Sequence, residues 1–311
     1  MPVAAPDQVD RAVAELGDLA RRDEPLAPFT TYKVGGRADV FVEVVEPADL
    51  HRVAAAHRAS GLPILIVGRG SNLLVADAGF GGIAVSLAEL ATGIDIDLET
   101  AVVRAGSAVA LPVLARKLAT VGLTGFEWAV GVPGSIGGAV RMNAGGHGSD
   151  MAESLLDVVV FDLAASTDRV MRADELGLRF RGSDLPPTTV VVSARLQLAS
   201  GDPEAARRTL REIVTWRRAN QPGGQNAGSV FVNPIPHELS AGKLIDELGL
   251  RGLRHGTASV SEKHANFIQA DSGGSADDVR ALMDIVRARV AAATGHQLRS
   301  EIRLIGFEEH A

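Results

Sequence analysis

Cysteine is missing from this chain altogether. That excludes disulfides, thiolate metal sites, iron–sulfur clusters and cysteine nucleophiles at once. Aromatic residues are scarce, at 4%, and include one tyrosine and two tryptophans; they do not interleave with any basic cluster. Together with a formal net charge of −7, this argues against nucleic acid or an anionic membrane surface as a partner. Long apolar runs are absent too, and the opening MPVAAPDQVDRAVAEL lacks a basic start followed by an apolar core. A cytoplasmic protein with no membrane segment is expected, and no metal site. What is present is bulk: 311 residues, 46% of them hydrophobic, enough for two or three domains with real cores.

Glycine is concentrated in Gly122–Gly148, GLTGFEWAVGVPGSIGGAVRMNAGGHG. Each glycine inside a helix or strand costs roughly 0.5–1 kcal/mol relative to alanine, so the stretch is expected to be neither. Positive φ and bare backbone N–H groups are what an anion such as phosphate needs. From the residues alone, a structural loop and a phosphate cradle are equally good readings. A second candidate follows the apolar run Leu62–Val67, which stops at Gly68-Arg69-Gly70-Ser71-Asn72. A buried strand feeding a glycine turn suits a phosphate. Leu73 occupies the place of the third glycine in a Rossmann fingerprint, and neither turn is followed by the Lys-Ser/Thr of a P-loop.

Periodicity places the other elements. Helices are expected at Val9–Ala20 with Asp7 as cap, Pro47–Ser60, Leu111–Val121, the PEAARRTLREIVTWRRANQP stretch, Ala241–Leu248 and Asp277–Thr294. Strands are expected at Asp39–Val45, within Ile83–Gly106, at Leu155–Leu163, at Thr188–Leu198, across SVSEKHANFIQA and at Leu298–Phe307. The change of composition at Gly201-Asp202-Pro203 marks a domain boundary. Taken singly, Arg181 reads as a solvated or paired surface arginine, Ser229 as a turn serine and Glu301 as an exposed strand carboxylate.

Six ordered motifs carry more than any of these residues alone. They are VGRGSNLLV at 67–75, GFEWAVGVPGSIGGAVRMNAG at 125–145, FRGS at 180–183, NAGSVFVNP at 226–234, SEKHA at 261–265 and SEIRLIG at 300–306. In this the chain resembles the UDP-N-acetylenolpyruvoylglucosamine reductases, flavoenzymes of peptidoglycan precursor synthesis, from about Phe29 to Phe307. The short spacing from FRGS to NAGS looks like the group lacking an extra tyrosine-bearing loop, and Tyr32 is the only tyrosine.

The resemblance implies an α+β fold: a two-lobed FAD-binding module of the vanillyl-alcohol-oxidase (PCMH) type and a C-terminal α+β substrate-binding domain. Its implied divisions are 1–88, 89–202 and 203–311, with the last strand bringing Glu301 back to the active site. It implies reduction of a UDP-sugar enolpyruvyl ether to UDP-N-acetylmuramate by a monomer, with FAD as cofactor and NADPH as reductant. By resemblance Arg181 stabilises developing negative charge, Ser229 donates the proton, and Glu301, with a raised pKa, donates a hydrogen bond while protonated. FAD would be held by Val67, Gly68, Arg69, Gly70, Ser71 and Asn72, and by Pro133, Gly134, Gly137, Gly138, Asn143 and Gly145. Substrate would be touched by Asn233 and His264. Three positions depart from the family pattern: Phe180 for tyrosine, Asn220 for lysine, and Gly146-His147 for Ala-Tyr. Two other readings stay open. One is a flavin oxidase with covalently held FAD, for which only His147 lies near the cofactor stretch. The other is a flavin or nucleotide-sugar binder without catalysis, against which the joint presence of Arg181, Ser229 and Glu301 speaks.

Overall fold

The computed structural model describes residues 4–235 and 238–308. Helix α1 (Pro6–Leu16) and helix α2 (Asp49–Ser60) lie against a four-stranded sheet ordered Ala20–Pro25, Arg37–Glu43, Phe80–Ser86, Ile64–Val67. The first pair is antiparallel and the other two are parallel. Arg37–Glu43 is buried on both faces: Val40 and Val42 join the cluster that contains α1 and α2 residues, whereas Phe41 joins a separate cluster with Leu65 and Val67. Strands covered on two sides read as apolar runs rather than alternation, as here. Helix α1 begins at Pro6 with Ala5 at its cap, so Asp7 is not the cap. Asp7 lies in the first turn and pairs with Arg11 at 2.7 Å, where proline at the helix start fixes φ instead.

A five-stranded antiparallel sheet follows, ordered Thr167–Arg172, Leu155–Asp162, Thr189–Gln197, Val102–Gly106, Ile94–Asp97. Helices α3 (Leu111–Thr120), α4 (Ile136–Met142) and α5 (Pro203–Asn220) pack into its core. The sequence pattern did not disclose Thr167–Arg172. It is an edge strand whose only buried residue is Met171, so it carries no apolar alternation. Helix α4 corrects the expectation that the glycine-dense stretch excludes helix. A Cβ on Gly137 would lie 3.0 Å from the Ser107 side chain, so glycine lets this short helix close onto the turn at Ser107. It ends at Asn143, left-handed at φ 39°.

The third core joins helices α6 (Ala241–Glu247) and α7 (Ala276–Thr294) to a small sheet of Arg254–His255, Ala258–Val260 and Ile268–Ala270. The single strand expected across SVSEKHANFIQA is in fact two. Ser261 Oγ accepts from the Lys263 N–H at 3.1 Å and stabilises the turn between them. Tyr32, Val34 and Leu74 are built into this core from the N-terminal part of the chain. The Tyr32 hydroxyl donates to the Ile268 carbonyl at 3.0 Å, and its burial raises the phenol pKa well above the ordinary value. Near the end of the chain only Arg303–Ile305 is strand, parallel to Leu73–Val75, which shortens the strand expected over Leu298–Phe307.

Asp77 ties the same regions together across about 200 residues of sequence. Its carboxylate accepts from Ala276 N at 2.9 Å, Asp277 N at 3.2 Å and the Ser275 hydroxyl. The Ala276 and Asp277 N–H groups lie in the first turn, where α7 cannot satisfy them internally. Asp77→Ala is expected to cost about 1–2 kcal/mol, the range for losing a helix cap. A melting temperature a few degrees lower in the FAD-loaded protein is the expected readout. An unchanged melting curve would mean that the Ser275 cap, which accepts from Asp278 N at 3.1 Å, suffices alone.

Candidate active site

A cavity of about 540 Å³ opens where the three cores meet. One wall is the turn Gly68–Asn72, which follows the strand Ile64–Val67. Gly70 is left-handed at φ +61°, and a side chain there would collide with the Phe29 carbonyl. Among the described residues none of the N–H groups from Gly68 through Asn72 donates to the protein. A run of unsatisfied donors facing a cavity is a ready anion cradle.

The adjoining wall contains Pro133, Gly134, Ser135, Gly138 and Gly145, and it touches the first turn: a Cβ on Gly68 would lie 3.0 Å from Ser135 Oγ. This turn is less free than its glycines suggest. Ile136 N donates to Val109 O at 2.9 Å and Gly137 N to Ser107 O at 3.0 Å. Donors for a ligand must therefore come from other positions on this wall.

Arg181, Ser229 and Glu301, widely separated in sequence, all line the cavity. Arg181 sits at the tip of a tight turn, closed by mutual backbone hydrogen bonds between Arg179 and Gly182, each 3.0 Å. Its φ of 56° is left-handed, uncommon for a non-glycine residue and frequent at functional sites. Its Nε donates to Glu301 Oε1 at 2.7 Å and its Nη2 to the Gly145 carbonyl at 3.1 Å. The guanidinium also lies 4.7 Å from the centroid of the exposed Phe180 ring. The tyrosine-to-phenylalanine departure therefore keeps an aromatic face beneath the cation. The Arg181 and Glu301 side chains retain only 26% and 19% of their exposure, so the pair is held largely out of water. Burial raises the Glu301 pKa above its ordinary value, while the Arg181 charge and hydrogen bond hold it back.

Ser229 follows Gly228, left-handed at φ +81°. The next residue, Val230, accepts at its carbonyl from Glu301 N at 2.9 Å, which sets the two catalytic candidates on adjoining segments. Buried Asn266 fixes the serine segment, with Oδ1 accepting from Phe231 N and Nδ2 donating to Phe231 O.

Five residues expected at ligand sites do not form the cavity wall. Val67 is 2% exposed and packed in the core beneath the first turn. Gly137 is pressed against Ser107. Asn143 is buried, bonded through its amide to Asp150 and to the Arg179 carbonyl and through its oxygen to Ala152 N, and so braces the segment that carries Arg181. Asn233 Oδ1 accepts from Ala241 N at the start of α6. His264 Nδ1 accepts from Asn266 N, its ring packs edge-on to Phe267, and burial lowers its pKa. Asn72 does reach the cavity, but its amide donates to the Glu301 carbonyl at 3.3 Å.

The cavity also contains His147, noted above beside the cofactor stretch, and residues to which the motifs assign no role: Arg141, Trp216, Arg217, Gln221 and Arg303. Burial and the neighbouring Arg303 charge push the Arg141 pKa down to about 10. Arg141 is committed to the carbonyls of Leu185, Pro186 and Thr189. Arg217 and Arg303 are likewise pushed down by burial, and among the described residues neither pairs with a carboxylate. Burial, then the Arg217 charge, lowers the His147 pKa. Desolvated cations without counter-ions are costly, and an anionic ligand removes that cost. The sequence signals for two of these were present: Arg303 is two residues from Glu301, and Arg217 is four before Gln221 on α5.

Among the described residues no group of three metal-binding side chains occurs, and no helix is long and apolar enough to cross a membrane. The glycine cradle, the free donors and the buried cations fit FAD, a long dinucleotide with a pyrophosphate at its middle.

A family model described as an FAD binding domain matches residues 38–165. A second, described as the C-terminal domain of UDP-N-acetylenolpyruvoylglucosamine reductase, matches 220–305. The chain is 44% identical over 287 residues to the UDP-N-acetylenolpyruvoylglucosamine reductase of Heliobacterium modesticaldum, covering 92% of this chain and 90% of that one. It is 39% identical over 301 residues to the reductase of Rubrobacter xylanophilus, covering 96% and 99%. The crystal structure of the reductase from Thermus caldophilus superposes with a TM-score of 0.77 at 35% identity, covering 92% of this chain and 98% of that one.

Proposed function

The chain belongs to the UDP-N-acetylenolpyruvoylglucosamine reductase family and is an FAD-dependent oxidoreductase, and from that premise we propose how its residues divide the reaction. The observation that carries the proposal is the buried Arg181–Glu301 pair at 2.7 Å in the same cavity as Ser229. When bound, FAD supplies the hydride chemistry, with NADPH as the source of reducing equivalents. The turn Gly68–Asn72 offers its free N–H groups to the pyrophosphate, and the adjoining Pro133–Gly145 wall extends the same cradle.

Saturating the vinyl group of an enolpyruvyl ether leaves negative charge spreading onto the adjacent carboxylate, and it requires a proton at the neighbouring carbon. Arg181, a planar cation fixed by three contacts, stabilises that charge where it develops. Glu301 Oε1 accepts from Arg181, which leaves Oε2 to carry a proton and donate to the same charge. The raised Glu301 pKa favours this protonated form. Ser229 supplies the proton to carbon; a hydroxyl is a weak acid, but a carbanion is a strong base. A nucleotide-linked precursor reduced by NADPH supports a cytoplasmic site of action, and a monomer is the assembly we propose.

An absorbance spectrum of the purified protein tests the whole reading. Flavin bands should bleach with NADPH in the absence of oxygen and return on adding the enolpyruvyl UDP-sugar. Bleaching by NADPH with no return on substrate would overturn the assignment of the acceptor.

A further inference from the structure

The end of α5 carries a recognition group that the reaction above does not use. Gln221 caps this helix, its N–H donating to the Arg217 carbonyl at 2.8 Å, and it lines the cavity. Its Oε1 is buried and has no hydrogen-bond partner. An orphaned buried acceptor is costly, and a ligand donor would remove that cost. Four residues earlier and lining the same cavity, Arg217 is a desolvated donor with no carboxylate beside it among the described residues. The Arg217 stem packs tightly against the backbone of Gly131, where a Cβ would lie 2.9 Å from its Cδ. Trp216 adds a flat apolar face to the same wall, 48% exposed and held edge-on by His147 at 5.2 Å.

A buried acceptor, an adjacent fixed donor and an aromatic face together describe the complement of a planar heterocycle that presents an N–H flanked by carbonyls. Sugar hydroxyls would not need that arrangement, because they rotate to give or accept. We propose that Gln221, seconded by Arg217, reads the imide edge of a pyrimidinedione bound in this cavity. The inference rests on the FAD and UDP-sugar reading above, which brings two such edges to the protein: the flavin ring and the uracil of the substrate. Gln221 Oε1 accepts the imide N–H, and its amide or the Arg217 guanidinium donates to a flanking carbonyl.

Methylating the imide nitrogen removes the donor without altering the protein, and comparison with Gln221→Met shows whether that donor meets Gln221. Wild type and Gln221→Met are each reconstituted with FAD or N3-methyl-FAD for dissociation constants. Each is then assayed as the ordinary holoenzyme with the enolpyruvyl substrate or its N3-methyluridine counterpart for KM. For one of the two probes, methylation should weaken binding to wild type by roughly five- to tenfold, the scale of one buried hydrogen bond, and leave Gln221→Met unaffected. Coupling to the flavin probe assigns the edge to FAD; coupling to the uridine probe assigns it to substrate. Equal penalties in wild type and variant with both probes overturn the proposal and leave Gln221 as a helix cap. Failure of wild type to turn over the natural substrate with natural FAD would instead overturn the underlying functional reading.

Discussion

Ser229→Ala is expected to bind FAD, accept electrons from NADPH at an unchanged rate, and slow reduction of the enolpyruvyl substrate by roughly 10²–10⁴-fold, the range for losing a general acid. The selectivity follows from where the hydroxyl sits. The backbone around it is fixed without it: Val230 N donates to Asn266 O at 2.9 Å, Phe231 bonds the Asn266 side chain in both directions, and Glu301 N donates to Val230 O. None of these hydrogen bonds uses the serine side chain, so its removal leaves Gly228, Glu301 and the cavity wall in place. The change deletes one oxygen from a residue at the cavity surface, so the expected effect on stability is small. Rapid mixing of prereduced enzyme with substrate isolates the second half of the reaction. A single-turnover rate equal to wild type would remove Ser229 from the proton transfer.

Arg181→Ala is expected to cost on the order of 3–4 kcal/mol in the transition state, by analogy with losing a preorganised oxyanion donor. Much of that effect is preorganisation. The left-handed turn, the Gly145 carbonyl, the Phe180 ring and Glu301 hold the guanidinium before substrate arrives. Lysine, a point charge on a flexible stem, is expected to restore little of the activity. Loss of affinity at unchanged kcat would make Arg181 a docking residue instead. The pH dependence supplies an independent check. Burial raises the Glu301 pKa and Arg181 opposes the rise, so deleting the arginine lets the pKa climb further. A reaction that needs protonated Glu301 loses rate as pH rises through that pKa. The alkaline limb of the variant profile should therefore move to higher pH, at a lower plateau. Stability carries the same sign: a carboxyl whose folded pKa is raised contributes most below its unfolded value, and that contribution is lost as pH rises through the folded pKa.

Several elements were legible because their signals are local. Helix α7 and helix α5 appear within a residue or two of their expected bounds, since an apolar face at a period of 3.6 survives any context. Thr167–Arg172 was not legible, because an edge strand buries too little to leave a pattern. Helix α4 was misread, because the cost of its glycines is offset by the Ser107 turn, which is distant in sequence. Asn143, expected at a ligand site, has both side-chain polar atoms bonded within the scaffold, and Asn233 Oδ1 and His264 Nδ1 likewise accept from Ala241 N and Asn266 N. A motif marks a position as specific without saying whether the specificity serves a ligand or the scaffold.

By itself the sequence determined the chemistry available to this protein: no thiol, glycine turns at 68–72 and 133–138, and an arginine, a serine and a glutamate in recurring motifs. It also determined most helices, whose signals lie within a few turns of chain. Only the tertiary structure decided which of those groups meet. Arg181 and Glu301 are 120 residues apart, and their 2.7 Å contact exists because the strand Arg303–Ile305 pairs with Leu73–Val75, beside the first glycine turn. The free N–H groups of that turn, the committed ones at Ile136 and Gly137, and the unpaired Gln221 oxygen were likewise decided there. Whether a polar group is satisfied depends on what the rest of the chain places within about 3 Å of it, and no local pattern of residues encodes that.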